Sequence, residues 1–184
     1  TFNGSLFLLP KDCRLTELTL EGISNIQGDF QCKDYFYVKK FVMPFIRVAG
    51  NMTIALNSGS VNTEAEIEFP NLLEIGGTLT LENNKNANNI TFPSLKKILG
   101  SCSVTTSHLK NDIEFTNLES IGTDGANAQI KFEIDGTNIL CPKLKTINGK
   151  FDITTSTVIF DMEADQVSYP NVESISENLS ITCP

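Results

Sequence analysis

Apolar and polar positions follow one repeating pattern along the chain, a short alternation broken by a corner. It is clearest in the stretch from Ile67 to Leu81, Ile-Glu-Phe-Pro-Asn-Leu-Leu-Glu-Ile-Gly-Gly-Thr-Leu-Thr-Leu. Ile67 and Phe69 alternate with a polar residue, Leu72 and Ile75 stand three apart, and Leu79 and Leu81 alternate with threonines. Period-two alternation turns one side of a short strand inward. Pro70 and the Gly76-Gly77 pair mark corners between strands. Proline cannot donate to a ladder, and glycine takes up backbone angles that other residues resist. A helix would show apolar residues at three-to-four spacing over ten or more residues, and no such run occurs.

Aligned on Leu72, the chain repeats at Ile23, Ile46, Leu72, Leu95, Leu118, Leu144 and Val172, with spacings of 23, 26, 23, 23, 26 and 28 residues. A second apolar anchor follows three positions on, at Ile26, Ile75, Ile98, Ile121, Ile147 and Ile175. In the second coil it is Val48, two after Ile46, which predicts a shorter turn there. Glycine closes the turn at Gly28, Gly50, Gly77, Gly100, Gly122 and Gly149. Alternating pairs precede the anchors (Phe41 and Met43, Ile90 and Phe92) and follow them (Phe30 and Cys32, Cys102 and Val104). In the fifth coil an insertion from Thr123 to Ala128 delays the pair to Ile130 and Phe132. Repeats of this kind predict an all-β parallel β-solenoid of about seven coils of 23–28 residues, roughly 30 Å long at a strand spacing of about 4.8 Å. Residues 1–17 are expected to form an N-terminal cap and residues 18–184 the repeat, a single domain overall.

The motif apolar-x-Phe-Pro-x-Leu-x-x-Ile-x-Gly-x-Leu-x-Leu resembles the receptor L-domain class, which is related to leucine-rich repeats and occurs in insulin- and epidermal-growth-factor-receptor ectodomains. The phrase from Leu20 to Phe30, Leu-Glu-Gly-Ile-Ser-Asn-Ile-Gln-Gly-Asp-Phe, is also similar to repeats of the fungal GPI-anchored cell-wall and sporulation-specific protein family. The resemblance covers Leu18 to Thr182. It implies a right-handed solenoid displayed at a cell surface or in a cell wall. It implies no ligand, because the matching positions are core and corner positions. The cysteine-rich region of the receptors, and the Ser/Thr-rich stalk and hydrophobic tail of the fungal proteins, are not in this sequence.

Charge and composition narrow the partners. The formal net charge is -8 and the pI about 4.6, which disfavours nucleic acid or an anionic membrane as the main partner. No apolar run approaches the roughly 18 residues of a membrane span, so no direct membrane insertion is expected. The start at Thr1 fits a mature product whose signal peptide is gone. Four Asn-x-Ser/Thr sequons, at Asn3, Asn51, Asn89 and Asn178, together with five cysteines, point to a secreted, extracellular or wall-anchored glycoprotein. With one histidine and no Cys-x-x-Cys pair, a zinc site is disfavoured. A Cys13–Cys32 disulfide would pin the cap onto the first coil, closing a loop of about 20 residues and contributing on the order of 3 kcal/mol. Cys183 is the candidate for an unpaired thiol or a bond to another chain, and the pairing of Cys102 and Cys141 stays open.

Candidate chemistry is sparse. His108 reads as a loop residue. Asp112, Glu114, Glu133 and Asp135 alternate with apolar residues and read as solvated strand faces, although a glycosidase pair among them is conceivable. Asp161, Glu163 and Asp165 lack the order of a calcium loop. No cofactor and no catalytic residue is expected. Between the inward pairs lie Gln31, Thr53, Thr80, Ser103, Asp152 and Ser180, and next to them Glu82, Thr105, Thr154 and Thr182. They make a regular hydroxyl-rich face, suited to a ligand platform or, less well, an ice-binding plane. The expected function is a non-catalytic recognition or adhesion module with a protein or glycan ligand. The alternative is a structural glycoprotein that self-associates through its solenoid ends into a filament or coat. A polysaccharide-active enzyme ranks last.

Overall fold

The structure, a computed structural model, describes residues 1–9, 14–35, 37–56, 65–84, 87–107, 109, 111–123, 128–135, 139–155, 174–175 and 179–182. Among these residues every regular element is a β-strand, and all strand pairs are parallel. Three sheets run along the molecule. The six-stranded sheet holds Glu17–Thr19, Lys40–Val42, Ala65–Glu68, Ala87–Thr91, Ile113–Glu114 and Ile139–Leu140. The seven-stranded sheet holds the two-residue strands Asn25–Ile26, Arg47–Val48, Glu74–Ile75, Lys97–Ile98, Ser120–Ile121, Thr146–Ile147 and Ser174–Ile175. The eight-stranded sheet holds Leu6–Leu8, Phe30–Lys33, Met52–Ala55, Leu79–Glu82, Cys102–Ser107, Ala128–Asp135, Gly149–Thr155 and Leu179–Thr182.

Neighbours within each sheet come from successive coils, so the chain visits the three sheets in turn and winds a β-solenoid. Among the described residues six coils contribute a strand to all three sheets. Val167, Tyr169 and Val172, expected in a seventh coil, lie outside the described residues. The register stacks like on like. Phe41, Ile67, Ile90, Ile113 and Ile139 form one inward ladder, and Val48, Ile75, Ile98, Ile121 and Ile147 another. Phe30, Met52, Leu79, Cys102 and Ile130 form a third. All of these side chains are buried, and burying each large one contributes roughly 1.5–3 kcal/mol. Phe69, Phe92 and Phe115 stack face to face, with ring centroids 5.0 and 5.1 Å apart. That is the distance at which parallel strands stack, so a phenylalanine repeated once per coil meets its neighbour ring on ring. Cys141 takes the next slot in this column and is buried there.

Two expectations need correction. In the second coil the inward anchor is Phe45, fully buried, while Ile46 is 42% exposed. Phe45 then stands three before Val48, as in every other coil, and the missing residue falls before the anchor. The N-terminal segment also follows the coil register rather than departing from it. Phe2 bridges Ile26, and Leu6 and Leu8 pair opposite Phe30 and Cys32.

The glycine at the entry to the eight-stranded sheet has a steric cause. Gly28, Gly50, Gly77 and Gly100 each donate a backbone hydrogen bond to the glycine one coil before, beginning with Gly4. A Cβ on Gly100 would lie 2.7 Å from the carbonyl carbon of Gly77. None of these four residues has a positive φ. Close stacking of one corner on the next, not an unusual backbone angle, excludes a side chain. In the fifth coil Ala128 occupies this corner after the insertion, and Gly149 pairs with it.

Candidate recognition face

Among the described residues the eight-stranded sheet has the most strands and the longest ones, and its outer side is the candidate face. Strand alternation places Phe7, Gln31, Thr53, Thr80, Ser103 and Lys131 in one outward row, one residue per strand. Gln31, Thr53, Thr80 and Ser103 are half-buried. Threonine suits such positions because its branched carbon packs on the pleat while its hydroxyl reaches solvent. Among the described residues these four side chains make no hydrogen bond with the protein. Asp152 and Ser180 hold the matching register positions on the next two strands.

The second outward row runs Lys33, Ala55, Glu82, Thr105 and Glu133. Lys33 Nζ reaches across the buried Ala55 to Glu82 Oε1, 3.1 Å away. Lys131 Nζ meets Glu133 Oε2 at 2.6 Å on the same strand. Both pairs are about a third to a half exposed, so each contributes little to stability, roughly 0–1 kcal/mol. Their effect on the face is larger, because each pair cancels two opposite charges in place.

A polar ladder edges this sheet. Ser5 Oγ accepts from Asp29 N–H at 2.9 Å, Asp29 Oδ1 from Asn51 N–H at 2.7 Å, and Asn51 Oδ1 from Thr78 N–H at 2.9 Å. Ser101 Oγ accepts from Gln129 N–H at 2.9 Å. The sequence carries a signal for this ladder, a small polar residue one position before each of the first five inward pairs (Ser5, Asp29, Asn51, Thr78 and Ser101), but it is easily taken for ordinary turn chemistry. At the opposite corner Asn84 is fully buried; its Oδ1 accepts from Leu56 N–H at 2.9 Å and its Nδ2 donates to Ile54 O at 3.0 Å. Asn84 closes the corner by satisfying backbone groups of the preceding coil that the core would otherwise strand.

The described sequon asparagines stand off the outward rows. Asn3 is exposed ahead of the first strand, and Asn51 is exposed at the corner ladder. Asn89 is half-buried in the six-stranded sheet, where its Oδ1 accepts from Asn111 Nδ2 at 3.0 Å. Asn178 lies outside the described residues, as do Cys13, Cys183, His108, Asp161, Glu163 and Asp165.

Cys32 is a free thiol, fully buried opposite Leu8 and Ile54. The expected Cys13–Cys32 bridge is therefore absent at its Cys32 end, because that side chain faces the core. Cys102 and Cys141 are also free and buried. Burial pushes the Cys102 thiol up to about 12. Cys32 is raised by burial too, and Cys141 by burial and by the neighbouring Cys102. Such thiols behave as small hydrophobes.

The four candidate carboxylates do not converge. Glu114 sits in the six-stranded sheet with Asp112 just before it, whereas Glu133 and Asp135 belong to a strand of the eight-stranded sheet. Among the described residues no group of three or more His, Cys, Asp or Glu could hold a metal ion, and no helix is long and apolar enough to cross a membrane. A scan of protein-family models, a search of curated proteins and a search of solved structures each found no match to this chain.

Proposed function

We propose that the chain is a non-catalytic extracellular glycoprotein, a recognition or adhesion module of the receptor L-domain kind, akin to the fungal GPI-anchored wall proteins and displayed at a cell surface or in a cell wall. One observation carries the proposal. On the outer side of the eight-stranded sheet Gln31, Thr53, Thr80 and Ser103 form a regular row of hydrogen-bonding side chains without partners among the described residues, bordered by paired charges. A rigid stack of coils holds that row in place with little left to order on binding, which favours affinity. The test is binding of the purified protein to intact cells or isolated walls. Thr53→Arg with Thr80→Arg should abolish retention and leave the circular dichroism spectrum and thermal midpoint unchanged. Undiminished binding by a folded double variant would contradict the proposal.

Self-association through the solenoid ends is the alternative, and the N-terminal end favours it. Phe2, Phe7, Leu9 and Leu15 are 36%, 54%, 54% and 45% exposed there, and the inward Leu6, Leu8, Leu18, Leu20 and Ile23 are only half-buried. Among the described residues the strand Leu6–Leu8 pairs on one side alone, and such an edge is a template for another strand.

A further inference from the structure

Resting on the recognition role proposed above, we infer that the eight-stranded sheet binds a neutral, extended polysaccharide that lies along the solenoid axis. The row Phe7–Gln31–Thr53–Thr80–Ser103 offers one side chain per strand, at a repeat of about 4.8 Å. An extended pyranose chain presents its hydroxyl groups at a comparable repeat. The amide of Gln31 and the hydroxyls of Thr53, Thr80 and Ser103 can each donate and accept, as sugar hydroxyls do. None of them is engaged within the described protein. Their half-buried stems restrict the rotamers that would otherwise have to be frozen.

Charge selects among polymers. Lys33 is paired with Glu82 and Lys131 with Glu133, and Asp135 and Asp152 hold further outward register positions, so the face disfavours an anionic chain. Shape excludes two further ligand classes. The row is a sheet surface, whereas small molecules need a concave pocket. Protein interfaces concentrate aromatic and long aliphatic anchors at their centre, and the centre of this row holds two threonines. Phe7, 54% exposed on the edge strand, supplies a single aromatic plane at one end, on which the C–H face of a sugar ring packs.

The experiment is retention on insoluble neutral polysaccharides (a β-glucan, a mannan and chitin) and on heparin and polygalacturonate, from low to molar salt. Retention on at least one neutral polymer, insensitive to salt, is expected. Thr80→Arg and Phe7→Ala should each weaken it by about tenfold or more, while Glu68→Gln on the six-stranded sheet leaves it unchanged. Thermal midpoints of all variants confirm that they are folded. Binding to charged polymers alone, retention unaffected by Thr80→Arg, or no retention on any neutral polymer each overturns the assignment. Cell-surface binding by the same variants separates the two proposals. If Thr80→Arg abolishes that binding while no neutral polymer is retained, the recognition role stands and the polysaccharide ligand falls.

Discussion

Gly100 and Gly22 are both glycines for a reason, and the reasons differ. A Cβ on Gly100 would strike the backbone of the coil beneath it, whereas one on Gly22 would meet nothing within 4 Å but would sit at a φ of +81°. Gly100→Ala must push two backbones apart, and a destabilisation of about 1–3 kcal/mol is expected from urea unfolding; an unchanged midpoint would contradict the stacked corner. The glycine positions are legible in the sequence, but their cause is not, because it depends on how closely one coil lies on the next. Phe45 and Ile46 show the same limit. Both are apolar, and only the length of the corner before them decides which one turns inward. Asn84 is hidden within Asn83-Asn84-Lys85-Asn86, where nothing local marks the one asparagine that the corner buries. The buried thiols carry a pH signature. Below the ordinary thiol pKa of 9.0, Cys102 is protonated whether folded or unfolded, and stability does not depend on it. As pH rises from 9.0 toward about 12, the unfolded chain ionises this thiol and the native core does not, so stability falls. Native protein should accordingly resist thiol reagents at Cys32, Cys102 and Cys141 at neutral pH, and lose chemical stability progressively above pH 9. Rapid labelling of the three in folded protein would show that they are not in the core.

At the scale of the strand, alternation is the feature that sequence displays best. A one-residue slip would turn a whole inward set outward, so the pairs Ile67 and Phe69, Leu79 and Leu81, and Ile130 and Phe132 had to be kept in phase, and the structure has them there. Connections are less legible. The N-terminal segment lacks a full coil's worth of alternation, yet Gly4, Leu6 and Leu8 continue the register. Leu95 tests the ladder directly. It is fully buried, and Leu95→Asp would leave a carboxylate unpaired in the core at a cost of several kcal/mol. That is comparable with the whole stability of an ordinary domain, about 5–15 kcal/mol. The variant is expected not to fold, as judged by loss of a cooperative thermal transition; a soluble, cooperatively folding variant would contradict the register.

Among the described residues the molecule is a stack of coils with a sheet along each of three sides. Only part of its candidate site was legible beforehand. The hydroxyl row follows from strand phase alone. The pairing of charges on the face does not, because Lys33 and Glu82 are 49 residues apart in sequence and meet only through the stack. Glycosylation belongs to this scale too. Asn3 and Asn51 are exposed and stand off the outward rows, so glycans there would shield edges and leave the face open. Enzymatic deglycosylation of protein from a eukaryotic secretory source should lower its mass, with Asn3, Asn51, Asn89 and Asn178 as the sites; an unchanged mass would remove the glycoprotein proposal.

We propose that the chain works as a single recognition module and not as the subunit of an assembly, although Phe2, Phe7, Leu9 and Leu15 are exposed. Light scattering and electron microscopy of natively purified protein, with and without reductant, decide between the two. A stable monomer under both conditions is the expected result. Ordered filaments, or multimers that reductant dissolves, would contradict it.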